Sequence, residues 1–208
     1  MSLIRRSRWL VGLVCLVVAA AAAVLARRVV VVYCAIRLKE GATQPVHDRH
    51  VRLLASVSSE RELLDFIVGP PGLLWPSGRL QGIAEEALGL KDTEQAHAIL
   101  EGLLDREQHR LSALIGLSFA ESYDPKRLFD RYGGDENGLW AVALVYMMSG
   151  RTDVLPCLGA YYTRYLHHAE DPPGSVHYPR MKVRAFLSAH GIDPDAVASD
   201  REVNDEQR

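Results

Sequence analysis

Ile83-Ala84-Glu85-Glu86-Ala87-Leu88-Gly89-Leu90-Lys91-Asp92, continued by Thr93-Glu94-Gln95-Ala96-His97-Ala98-Ile99-Leu100, is the stretch that decides the fold. Ile83, Ala87 and Leu88 recur at helical spacing, and Gly89 and Asp92 then break the run. Asp92 with Gln95 three residues on reads as a capping box opening a second apolar helix at Ala96. Small residues in the first helix let a neighbouring helix approach closely. One such unit is a helix pair with a defined turn.

The same punctuation recurs on both sides. Ser59 with Glu62 is another capping box, and Asp124 and Asp193 each precede a proline, the residue pre-set for a first helical position. Asp153 follows Gly150, a helix stop. These five cap-like positions lie 33, 32, 29 and 40 residues apart. Between them run apolar helical stretches such as Leu111, Leu114 and Ile115, or Trp140-Ala141-Val142-Ala143-Leu144. Val183-Arg184-Ala185-Phe186-Leu187-Ser188-Ala189-His190-Gly191-Ile192-Asp193-Pro194 repeats the pattern of helix, glycine and Asp-Pro turn. No long alternating run bounded by turns is present, so the expected class is all-α: an N-terminal transmembrane helix followed by an α-solenoid-like stack of about five antiparallel helix pairs.

These units resemble short bacterial HEAT-like repeats, in which an alanine-rich helix, a turn near Gly-Asp and a helix opening on Val-Pro-Ala-Leu recur. Val154-Leu155-Pro156-Cys157-Leu158 carries the resemblance best, and 183–197 comes next. It covers roughly residues 46–198, and each unit is degenerate. Tetratricopeptide-like repeats have a similar period, but their aromatic and alanine positions do not recur in register here. A non-repetitive helical bundle is the third architecture. Either repeat family implies a stacked array with a protein-binding surface and no catalytic residues of its own.

Upstream, Arg5, Arg6 and Arg8 precede residues 9–26, from Trp9 to Ala26, eighteen residues without a charge. At about 1.5 Å per residue such a helix covers roughly 27 Å, close to a hydrocarbon core of about 30 Å. The preferred reading is a single-pass signal-anchor, with Arg27 and Arg28 snorkelling to headgroups and 29–36 lying at the interface or prolonging the helix. The alternative is a cleaved signal peptide, for which the alanine run 19–23 supplies A-x-A sites. The basic amino side favours an extracytoplasmic body. The chain thus divides into a membrane segment with its juxtamembrane stretch (1–40), a helical body (41–198) and a polar tail (199–208).

Seven of the 24 Lys and Arg lie in 1–40, leaving 41–208 with 17 basic and 25 acidic residues, a net charge of −8. Such a body lacks the phosphate-neutralising surface that nucleic acid demands, so no nucleic acid is expected as a partner. The bilayer and a protein with a basic surface are expected instead. Cys15, Cys34 and Cys157 leave the body without an internal disulfide, and neither Cys15 nor Cys34 follows the small residue a lipoprotein site needs.

The chemistry-bearing residues are few. His47 and His50 sit at i and i+3, and His167, His168, Glu170, Asp171 and His177 form the other donor-rich stretch. HExxH is absent, and so are the P-loop, Gly-x-Ser-x-Gly and Rossmann patterns. Both histidine clusters are expected as ordinary surface, His47 and His50 in a solvated first turn. The expected function is therefore that of a membrane-anchored scaffold or protein-interaction module, with no catalysis, cofactor or metal. Its contact candidates are Leu73, Leu74 and Trp75 at the tip of the 69–78 loop, and Tyr161, Arg164 and Tyr165 on one helix face. The alternative is a small membrane-tethered metal-dependent hydrolase using His47 and His50 with His167 and His177.

Overall fold

The computed structural model describes residues 3–39, 44–68, 78–166 and 179–194. All the regular structure among them is helical, without a strand, so the chain is all-α. It falls into two compact units, Met1–Ile99 and Leu100–Arg208.

In the first unit α1 (Leu3–Lys39) runs unbroken for 37 residues. It is followed by α2 (Gln44–Val57), α3 (Glu60–Val68), α4 (Gly78–Lys91) and the start of α5 (Glu94–Leu103). Within α1, Leu13–Cys34 is long and apolar enough to cross a membrane, with a mean hydropathy of 2.3. The described side chains of 13–27 are all exposed, whereas Val30, Val31 and Val32 are half-buried and Cys34 is completely buried. Residues beyond Arg27 therefore prolong the helix and pack on α2 and α4. Arg27 is exposed and is also paired within the protein. It donates to the Val57 carbonyl and to Glu62, at the corner between α2 and α3.

Both α2 and α3 pack against α4, whose Ala84, Ala87 and Leu88 are wholly buried beside Val51, Leu54 and Leu63. The α2–α3 break is written in the capping box at Ser59. Glu62 N–H donates to Ser59 Oγ at 3.3 Å, and Ser59 N–H donates back to the Glu62 carboxylate at 2.8 Å. The turn before α5 differs from its sequence reading. Thr93, not Asp92, is the cap, its Oγ1 accepting from Ala96 N–H at 3.1 Å. Asp92 takes a left-handed conformation, φ 50°, and its carboxylate lies 3.0 Å from His97 Nε2. Aspartate tolerates this region better than most side chains, which places it one residue ahead of the cap, where the chain reverses.

The second unit holds the end of α5, then α6 (Glu107–Phe119), α7 (Lys126–Arg131), α8 (Glu136–Ser149) and α9 (Leu155–Tyr161). A π-helical turn (Tyr162–Leu166) and α10 (Pro179–Ala189) complete it. Here α8 packs on α6, α7 and α10, around Leu114, Leu117, Val142, Ala143, Tyr146 and Leu187. Gly138 lets Tyr132 lie against α8, because a Cβ there would come within 2.3 Å of the Tyr132 ring. Asp124 Oδ1 accepts from Lys126 N–H at 2.9 Å as Pro125 enters the first turn of α7. Gly150, φ 71°, ends α8, and Gly191, φ 76°, ends α10. Asp153 lies two residues ahead of α9, and its carboxylate is engaged mainly by Arg151 and also by the backbone of Asp153 and Val154 at the helix start.

Arg151 ties this unit together. Its guanidinium donates to the carbonyls of Ala120, Glu121 and Tyr123 in the α6–α7 loop, to Tyr123 at 2.9 Å, and to both oxygens of Asp153. It also lies 5.3 Å from the centre of the Tyr146 ring.

Candidate functional site

The second unit contains a recess of about 460 Å³ between α7, α8, α9 and the π-helical turn. Phe129, Leu139, Pro156 and Ala160 give it an apolar lining, and Lys126, Asp130 and Arg164 supply charge. That size lies within the range of small-molecule and side-chain pockets, about 300–1,000 Å³.

Three residues singled out in the sequence line it: Tyr161, Arg164 and Tyr165. The Tyr161 and Tyr165 rings are 5.9 Å apart and tilted by 43°, so they do share a face. They are not equally available. Tyr161 is 3% exposed, its ring also 6.4 Å from Phe129, and its hydroxyl is buried without a hydrogen-bond partner among the described residues. Burial, and the charge of Glu136, push that phenol up to about 12. Tyr165 is half-buried and donates its hydroxyl to the Gly133 carbonyl. Arg164 is exposed, its guanidinium 5.1 Å above the Tyr165 ring. Tyr161 is thus wall, while Arg164 and the edge of Tyr165 form the accessible rim.

The local backbone produces this grouping. Pro156 sits in the first turn of α9, and at Tyr162 the helix widens to π-helical geometry. Such turns insert an extra residue per turn and are frequent at functional sites. Cys157, also in the lining, has its thiol raised by burial and by Asp124 and Asp130, so it is held as a thiol, not an activated nucleophile. Of the lining residues outside α9 and the π-helical turn, Phe129, Lys126 and Asp130 went unnoticed in the sequence. Their only signal is the Asp-Pro cap that starts α7.

The first unit holds the histidines. His47 and His50 are not a solvated turn: His47 is half-buried and His50 is 8% exposed, its ring 5.6 Å from Tyr33. The apolar face of α2 that carries them is turned to α1 and α4. His167 and His177 lie outside the described residues, as do Leu73, Leu74 and Trp75. Searches against known protein families, curated proteins and solved structures found nothing that matches this chain.

Proposed function

We propose that the chain is a membrane-anchored helical interaction module without catalytic activity of its own, its body extracytoplasmic and built as a HEAT-like stack. The observation that carries this reading is α1 itself. Its described apolar side chains before Arg27, from Leu13 on, are exposed, while the same helix further on enters the core of the first unit. An apolar surface of that length needs a bilayer or another protein to cover it. The recess at Tyr161, Arg164 and Tyr165 is the receiving surface for a partner side chain, with aromatic walls of the kind that dominate interface energy. The acidic balance of 41–208 favours a partner with a basic surface and a salt-sensitive association.

The test is fractionation combined with site-directed crosslinking. The protein stays in membranes after a carbonate wash, and the paired substitutions Leu16→Arg and Val17→Arg release it. A photo-crosslinking residue at 164 captures one partner, one at Met148 does not, and Tyr165→Ala abolishes the capture. A soluble form whose amino terminus lies within 20–26 would show a cleaved signal peptide instead.

A further inference from the structure

The first unit has a recess of its own, of about 350 Å³. It is lined by Arg52, Ala55 and Ser56 of α2, by Leu90 and Lys91 at the end of α4, and by Thr93 at the cap of α5. Arg52, Ala55 and Ser56 stand at i, i+3 and i+4, so a single face of α2 supplies one wall. The hydroxyls are already engaged. Ser56 donates to the Leu53 carbonyl at 2.8 Å, and Thr93 donates to Glu60 Oε1 at 3.2 Å. The side-chain donors that remain are cationic. Lys91 is half-buried and acts on Glu60, whose carboxyl is held below its ordinary value by its own N–H and then by that ammonium. Arg52 is exposed and makes no hydrogen bond or ion pair among the described residues. The Asp92 carboxylate, between Lys91 and Thr93 in the chain, lies against His97 instead. In a body that carries a net charge of −8 over 41–208, this recess is locally positive.

A second observation, independent of the lining, concerns where the recess stands along α1. Arg27 follows directly on the uncharged stretch 9–26 and donates to the Val57 carbonyl and to Glu62. Val57 is the neighbour of Ser56, and Glu60, which holds Thr93, stands two residues before Glu62. The recess therefore adjoins the α2–α3 corner that Arg27 grips, where the exposed apolar half of α1 ends. On the membrane-anchored reading given above, upon which this inference rests, that corner is level with the lipid headgroups. The abundant anion there is phosphate, and basic side chains just outside a membrane span are drawn to anionic lipid.

We propose that Arg52 and Lys91 hold a phosphate group in this recess at the membrane surface, supplied by an anionic phospholipid headgroup or by free phosphate. The planar guanidinium of Arg52 takes two oxygens, and the ammonium of Lys91 adds a point charge.

The full-length protein in neutral detergent, mixed with equal amounts of phosphatidylcholine and phosphatidylglycerol, retains one phosphatidylglycerol per chain by native mass spectrometry. Arg52→Gln and Lys91→Gln, each with wild-type helicity by circular dichroism, lower that retention about tenfold. Arg52→Lys keeps the charge, loses the fork and falls between. Arg61→Gln, which removes an exposed cation of α3 outside the recess, leaves retention unchanged. Calorimetric titration of the lipid-free protein with inorganic phosphate separates the two sources. Phosphate binding that needs Arg52 and Lys91, without lipid retention, identifies free phosphate as the ligand. Where a variant does not fold, a phosphatidylglycerol with a photoreactive headgroup labels the wild-type protein within 52–56 or 90–93, and labelling only elsewhere overturns the assignment. Equal retention of both lipids together with no phosphate binding also overturns it, as does a preference that survives both glutamine substitutions. Anchoring is read separately by the carbonate wash. A protein that washes off removes the membrane reading, whereas one that stays but holds neither anionic lipid nor phosphate removes only the recess.

Discussion

Arg27 on α1 and Glu62 on α3 are joined through a carboxylate oxygen that also closes a helix cap. Glu62 Oε2 accepts from the Ser59 N–H and the Ser59 hydroxyl, each at 2.8 Å, and from the Arg27 guanidinium. A local signal, the capping box, and a long-range contact, the docking of α1, thus meet on one atom.

This convergence gives a pH dependence. The carboxyl of Glu62 is held below its ordinary value, first by the Ser59 N–H and further by the Ser59 hydroxyl and Arg27. Because the folded value is depressed, the stabilisation is fully present above the unfolded value of about 4.3 and is lost as pH falls through the folded one. Glu62→Gln keeps an amide acceptor for the cap but does not titrate. Denaturation of the two proteins between pH 6 and pH 2 (roughly the window set by these values) therefore shows a shallower acid loss in the variant.

The turn before α5 separates two neighbouring residues by role. Thr93→Ala removes the cap and costs about 0.5–2 kcal/mol. Asp92→Gly relieves a positive φ and costs less than Asp92→Ala, which keeps the strain and loses the contact with His97. Thermal melts of the three variants rank them, and an Asp92→Gly protein less stable than Asp92→Ala would contradict the geometry.

Arg151 is the most consequential single side chain of the second unit. Only 13% of its side chain is exposed, and its loss removes the guanidinium bonds to three loop carbonyls and to Asp153. Arg151→Ala is expected to cost about 2–3 kcal/mol. Arg151→Lys restores only part of this, because a single ammonium cannot span the same acceptors. Chemical denaturation followed by circular dichroism measures both.

Gly138→Ala tests the approach of Tyr132 to α8. A Cβ would lie 2.3 Å from Tyr132 Cδ1 and 2.7 Å from Asp135 Oδ2, so the ring has to move. The expected loss is about 1–3 kcal/mol, with Tyr132→Ala partly relieving it in the double variant.

What was legible in the sequence was local. Ser59 with Glu62, Asp124 with Pro125, and the stops at Gly150 and Gly191 each rely on groups a few residues apart, and each stands where the sequence puts it. The i, i+4 spacing of Tyr161 and Tyr165 was likewise enough to place their rings together. Asp92 failed by one residue because a threonine follows it, and two adjacent cap-formers compete on backbone geometry that composition does not report. Burial was least legible. His47 and His50 read as surface because the partner face is set by α1 and α4, and Glu86 gave no sign of meeting His47 because nothing local links them. The Lys126 and Phe129 side of the recess had the same disadvantage: α7 is too short for a periodic pattern to reveal its inward face.

The unbroken course of α1 makes it a rigid spindle. Its exposed apolar half and the part gripped by α2 and α4 share one helical phase, with no hinge between them. Adding one residue between Ala26 and Arg27 would turn one half by about 100° and shift it by about 1.5 Å relative to the other. Four added residues would come within about 40° of the starting azimuth while lengthening the shaft by about 6 Å. Reach and angular setting can therefore be varied separately, and a function that depends on one would respond differently to the two insertions.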